Sequence, residues 1–294
     1  MNLIATAYIL AVLHANNIIN FPHLSLKIEY EHIESGKRHY QGISIAGPEC
    51  LAHLQGSVMD NLLDREELQF SIDNLKALRD ETGFNANEEL LINIQALEEE
   101  EVNTQTFRIG EAYAEIILEQ QFSCRFHWNE NRDTRNPKGN KTGADLVGFI
   151  EVDSQILFLF GEVKTSSETA TRPPQVMTGA DGIERQLRDL YNDRAKRLIL
   201  ISYLQNKMRH FPQGHQFRND FESGNRAYYS GAGNYQLVGV LVRDVDPDHR
   251  DVSVSYNRLK EHVLAPKGIK LLALYFTIAK EQWLDIINEK RNER

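Results

Sequence analysis

Apolar and polar positions are most sharply organised between residues 142 and 164. Two apolar runs, residues 146–152 and 156–160, lie on either side of the polar pair Asp153 and Ser154. Runs of that length closed by turn-forming residues predict two strands joined by a tight turn. The second run is apolar at every position, which predicts a central strand buried on both faces. Upstream, Leu24, Leu26, Ile28 and Tyr30 alternate with polar residues; a Glu-Ser-Gly-Lys turn follows at 34–37, and residues 42–46 resume a strand. This predicts a hairpin. From about residue 49 to 97 the apolar residues recur at helical spacing, with a fresh helix start at 85–89. A second helix is expected over 107–119, with Ile109, Ala112, Ile116 and Ile117 facing inward and Glu111 and Glu115 one turn apart on a common face. Another opens at Gly182. Residues 198–204 are apolar without a decisive period and read equally as helix or strand. Residues 231–234 are a turn, 236–243 and 269–276 are strands, and 281–289 close the chain as a short helix. The pattern as a whole predicts an α/β protein with a mixed β-sheet flanked by helices.

Composition narrows the class. With 294 residues, 41% of them hydrophobic, the chain can bury a large core. The four glutamates at 98–101 read as an exposed linker or helix end, and a boundary is placed at residue 104. Residues 1–104 then form a small N-terminal α+β region for regulation or partner docking, and residues 105–294 the main domain. Residues 1–20 are apolar but lack the basic start and cleavage site of a signal peptide and the uniform apolarity of a membrane span. Cys50 and Cys124 make neither a disulfide framework nor a metal-ligand spacing. The expectation is a cytoplasmic, reduced protein with no membrane partner. The net charge of −9 argues at first against nucleic acid, but the acidic excess lies in residues 1–124, and residues 125–294 are net basic. The acidic part suits exclusion of polyanions, docking on a basic protein, or plain solvation; the basic part suits a phosphate backbone.

Candidate chemistry gathers where the buried strand ends in Gly161-Glu162-Val163-Lys164. Side chains alternate along a strand, so Glu162 and Lys164 share one face and Val163 points to the other. Asp145 opens the neighbouring strand. Two carboxylates and an ammonium converging beside a buried strand are costly unless an ion compensates them, which marks a site. The polar segment 129–141, carrying Arg132, Arg135, Lys138 and Lys141, is either a phosphate-gripping loop or an ordinary solvent loop. His210 and His215 have no acidic or cysteine companions, and Gly231 and Gly233 no helix signature after them, so neither pair reads as a site.

In this order of elements the chain resembles the PD-(D/E)XK nuclease superfamily: a helix bearing Glu111, a strand opening at Asp145, a strand ending in Glu162-Val-Lys164, then a helix bearing Gln186. The resemblance covers residues 105–205. It implies a restriction-endonuclease-like fold, with Glu111, Asp145, Glu162, Lys164 and Gln186 as catalytic residues. Asp145, Glu162, the Val163 carbonyl and Glu111 would hold Mg2+ or Mn2+. Arg135, Lys138, Lys141, Arg185 and Arg188 are then expected to bind DNA. Hydrolysis of DNA to a 5′-phosphate and a 3′-hydroxyl is the implied reaction. The Gly-Glu-x-Lys form behind an added N-terminal region is similar to nuclease subunits of bacterial antiphage systems such as the Hachiman type, which implies a helicase or ATPase partner. From a different class, an interaction subunit that keeps the nuclease fold without cutting, and regulates a helicase or other motor, fits the same acidic N-terminal region.

Overall fold

A computed structural model describes residues 26–81, 85–99, 104–128 and 143–292. The first hairpin is as expected. β1 (Leu26–Ser35) and β2 (Arg38–Ile45) run antiparallel around Gly36 and Lys37. A helical stretch follows: α1 (Gly47–His53), a π-helical turn (Leu54–Val58), α2 (Met59–Leu63), α3 (Arg65–Arg79) and α4 (Glu88–Glu98). α5 (Thr106–Phe122) comes next, then the short β3 (Cys124–Arg125), β4 (Leu146–Val152) and β5 (Gln155–Thr165). Four helices follow: α6 (Gln175–Thr178), α7 (Ile183–Asn192), α8 (Arg194–Met208) and α9 (Gln216–Tyr229). β6 (Gln236–Arg243), α10 (Arg250–His262), β7 (Gly268–Phe276) and α11 (Trp283–Asn292) complete the chain. Residues 198–204, ambiguous by period, are helical within α8.

The seven strands form one mixed sheet in the order β1-β2-β7-β6-β5-β4-β3. The central β2, β7, β6 and β5 are parallel to one another, while β1 on one side and β4 and β3 on the other pair antiparallel. Because β2 pairs with β7, strands from both sides of residue 104 belong to the same sheet. The division expected at that residue therefore does not coincide with a break in the sheet.

Strand alternation divides the core into two layers. Leu157, Leu159 and Val163 of β5 pack in one buried cluster with Ile109, Ala112, Tyr113 and Ile117 of α5 and Trp283 of α11. Phe158 and Phe160 pack in the other, with Leu187 of α7, Leu200 and Leu204 of α8, Phe221 of α9 and Tyr256 of α10. Such two-sided cover explains why β5 is apolar throughout. Among the described residues no helix is long and apolar enough to cross a membrane.

Candidate active site

The geometry begins with the β4–β5 turn. Asp153 and Ser154 both adopt left-handed backbone, φ 51° and 60°, as a two-residue turn matched to the strand twist requires. That turn fixes the register, pairing Val152 with Gln155 and, at the far end, Leu146 with Gly161. Asp145 is the residue before β4; its amide donates to the Gly161 carbonyl at 3.0 Å, outside the regular register, and this sets it beside Glu162.

Glu162 points to the face shared with Phe158 and Phe160, and the Asp145 side chain meets it there closely enough to hydrogen-bond. Asp145 Oδ2 accepts a hydrogen bond from the Val163 amide at 3.0 Å. Glu162 Oε1 accepts from Lys164 Nζ at 2.6 Å. Within a strand the N–H and C=O of one residue point to the same side, so the Val163 carbonyl also faces the β4 side. Glu162 is buried, while the Lys164 side chain remains 28% exposed and forms the open side of the cluster. Burial first, and the Asp145 charge second, hold the Glu162 carboxyl well above the usual carboxylate range. Burial works against the Lys164 ammonium, yet Glu162, Asp145 and Glu111 together hold it above the usual lysine range. Two carboxylates thus share one ammonium in a poorly solvated place, and the excess is negative.

Small residues bring the flanking helices close. Gly110 of α5 lies against Thr165, where an added Cβ would sit 2.3 Å from the hydroxyl oxygen. The next residue, Glu111, is buried; its charge bears on Lys164, and its Oε2 faces Arg108 Nη1 at 3.4 Å. The i,i+3 spacing of Arg108 and Glu111 is the sequence signal for this partner. Glu115, the alternative on the same helix, instead accepts from Asn61 at 3.0 Å. On β6, Gly239 stands opposite Glu162, and the gap its missing side chain leaves is filled by Ile183 and Leu187 of α7 together with Leu271 of β7. α7 thereby sets its first turn on the sheet beside the acidic pair. Gln186 is half-buried on that helix and, among the described residues, makes no side-chain hydrogen bond to either carboxylate. Arg185 is exposed, and Arg188 is engaged by Glu184 of its own helix. Arg135, Lys138 and Lys141 lie outside the described residues.

The oxygen donors suit a hard divalent cation. Asp145 Oδ1, Glu162 Oε2 and the Val163 carbonyl are of the type Mg2+ and Mn2+ prefer, and a cation answers the excess negative charge. Among the described residues no three His, Cys, Asp or Glu side chains stand close enough to hold an ion together. One or two carboxylates, with water and substrate phosphate completing the shell, is the usual protein contribution to Mg2+ sites. Glu111 stands behind this pair, matched by Arg108. No protein-family model matches the sequence, and no curated protein matches it.

Proposed function

We propose that this chain is a Mg2+-dependent deoxyribonuclease of PD-(D/E)XK type, serving as the nuclease component of an antiphage or DNA-processing complex with a helicase partner. One observation carries the reading. The carboxylates of Asp145, just before β4, and of Glu162 on β5 meet at a strand end, with Lys164 on the Glu162 face and the excess charge negative.

Asp145 and Glu162 would hold the cation, with the Val163 carbonyl beside them. Mg2+ bound there supplies Lewis acidity toward a phosphodiester oxygen and lowers the pKa of a water in its shell. Asp145 is kept in place by the Val163 amide and by its side-chain hydrogen bond with Glu162. Lys164 stays protonated beside the two acids and offers a donor where negative charge grows on the phosphate. Its partial exposure leaves it able to exchange Glu162 for a substrate oxygen. Glu111 adds negative potential behind Lys164 and helps keep that proton on. Arg185 and Gln186, on the helix that rides over Gly239, would meet the strand being cut.

The test is cleavage of plasmid and linear DNA with Mg2+ by wild type, Glu162→Ala and Lys164→Ala, each with an EDTA control. Loss of one charged group that stabilises the transition state costs about 100-fold to 1,000-fold in rate. Activity that survives both substitutions overturns the site. For a chain silent on its own, the same comparison is made in the presence of its helicase partner.

A further inference from the structure

α7 carries a second charged cluster, on its flank toward α10. Glu184, in the first turn, is only 7% exposed. A carboxylate so buried is costly unless counter-charges meet it, and two do. Its Oε1 accepts a hydrogen bond from Arg188 Nη2, one turn further along the same helix. Its Oε2 has no hydrogen bond and instead faces Arg258 Nη1 of α10 at 3.6 Å. Two guanidinium groups from two helices thus converge on the two oxygens of one carboxylate. Among the described residues neither makes a further hydrogen bond or ion pair. Both reach solvent: 33% of the Arg188 side chain and 54% of the Arg258 side chain are exposed.

Two positive charges here meet one negative charge. One arginine suffices to neutralise Glu184; the second leaves the cluster short of an anion. Guanidinium forks match the oxygens of a phosphate, and Glu184 brings two of them together while leaving N–H groups over for a ligand. The cluster also stands near the Asp145–Glu162 site. Ile183 and Leu187, each next in sequence to Glu184 or Arg188, pack over Gly239, which stands opposite Glu162. α10 packs on the following strand of the sheet, β7. From Glu162 on β5 to that strand is two strand spacings, about 10 Å. DNA advances about 3.4 Å along its axis per nucleotide, so the span corresponds to a few nucleotides.

We infer that Arg188 and Arg258, held by Glu184, jointly clasp one backbone phosphate of the bound DNA, a few nucleotides from the cut. The inference rests on the nuclease reading for the arrival of DNA, but the clasp is a binding site and is tested without cleavage. Glu184 holds the two forks together before the phosphate arrives, and the phosphate then matches the charge left over. Arg188 belongs to the DNA contacts expected from the sequence; Arg258 and Glu184 are new to that role.

Anisotropy of a fluorescein-labelled duplex is measured in EDTA over a series of salt concentrations for wild type, Arg188→Gln, Arg258→Gln and the double variant. Arg226→Gln is the control, since Arg226 is 83% exposed on α9 and its loss removes the same charge. Losing one phosphate contact lowers the salt slope by about one and weakens binding about tenfold at about 0.1 M salt. Each single variant is expected to show most of that loss and the double variant little more, because both arginines act on one phosphate. Arg258→Lys keeps the charge without the fork and is expected to fall between wild type and Arg258→Gln. The control is expected to bind as wild type does. Additive losses, an equal loss in the control, wild-type binding by both single variants, or no DNA binding by wild type each overturn the clasp. The expected pattern in a chain that does not cut upholds the clasp and counts against the catalytic reading alone. Cutting that depends on Glu162, with unchanged binding in both arginine variants, removes the clasp and leaves the catalytic reading standing.

Discussion

Lys270 offers a sharp test of how this core is charged. It lies on the central strand β7, paired on one side with His39 and on the other with Val238, and is 8% exposed. Its ammonium reaches under the end of α5, 5.1 Å from the Phe122 ring centroid, and the His39 ring stacks on the same phenyl group. Burial pulls Lys270 from 10.5 down to about 8, with Cys124 and Asp153 pulling the other way. Burial, and then the Lys270 charge, takes His39 down to about 3, so the histidine stays neutral and provides no counter-charge. At about 1.4 kcal/mol per pKa unit, the charged lysine costs the folded chain about 3 kcal/mol. The contact with Phe122 returns about 1 kcal/mol of this. Lys270→Met keeps the length and flexibility of the side chain without the charge. The variant is thus expected to gain about 2 kcal/mol at about pH 7. The pH dependence carries the sign. Between the folded value near 8 and the unfolded value of 10.5, the unfolded chain holds more protons, so wild-type stability rises with pH across that window. Below it the penalty is complete. Urea unfolding of both proteins at about pH 7 and about pH 10 reads the difference, and the titrations they share cancel. The advantage of Lys270→Met is expected to shrink to near zero at the higher pH. A variant less stable at neutral pH, or an advantage that does not change with pH, refutes the reasoning.

Two further substitutions probe how the site is positioned. Ser154 holds φ 60° in the β4–β5 turn, so Ser154→Gly is expected to stabilise the fold by about 1 kcal/mol in thermal unfolding, and Ser154→Val to destabilise it. A destabilised glycine variant would mean that the turn does not set the register. Gly110→Ala drives a methyl into the Thr165 hydroxyl and is expected to cost about 1–3 kcal/mol while lowering the proposed nuclease activity through the displaced Glu111. Adding Thr165→Ala is expected to restore most of both; no recovery in the double variant removes this contact as the cause.

Much of the site was legible because its logic is local. The turn at Asp153 and Ser154 counts back along β4 and forward along β5 to pair Leu146 with Gly161, with Asp145 and Glu162 the next residue on each side, and alternation puts Lys164 on the Glu162 face. The expected inward positions of α5, Ile109, Ala112, Ile116 and Ile117, are all buried. Other elements escaped for identifiable reasons. α9 buries Phe217, Phe221, Gly224 and Ala227, and Gly224 meets Phe158 so closely that the inward face has no apolar side chain to show there. α10 buries Asp251, Ser253 and Ser255 alongside Val252, Tyr256 and Leu259, and its polar residues hide the stripe. Residues 198–204 stayed ambiguous because Ile199 is apolar yet exposed. The pairing of β2 with β7 joins segments more than two hundred residues apart, and no short-range pattern encodes it. The tie between Asp220 and both Arg125 and His127 is equally non-local.

The central claim is that Asp145 and Glu162 together take up a divalent cation. Calorimetric titration of Mn2+ into wild type, Asp145→Asn and Glu162→Gln tests it most directly, since both substitutions keep side-chain shape and remove only the charge. The account predicts a binding heat in wild type that is lost in each variant while both keep the wild-type circular dichroism spectrum. Wild-type Mn2+ binding in both variants, or none in the native chain, contradicts it.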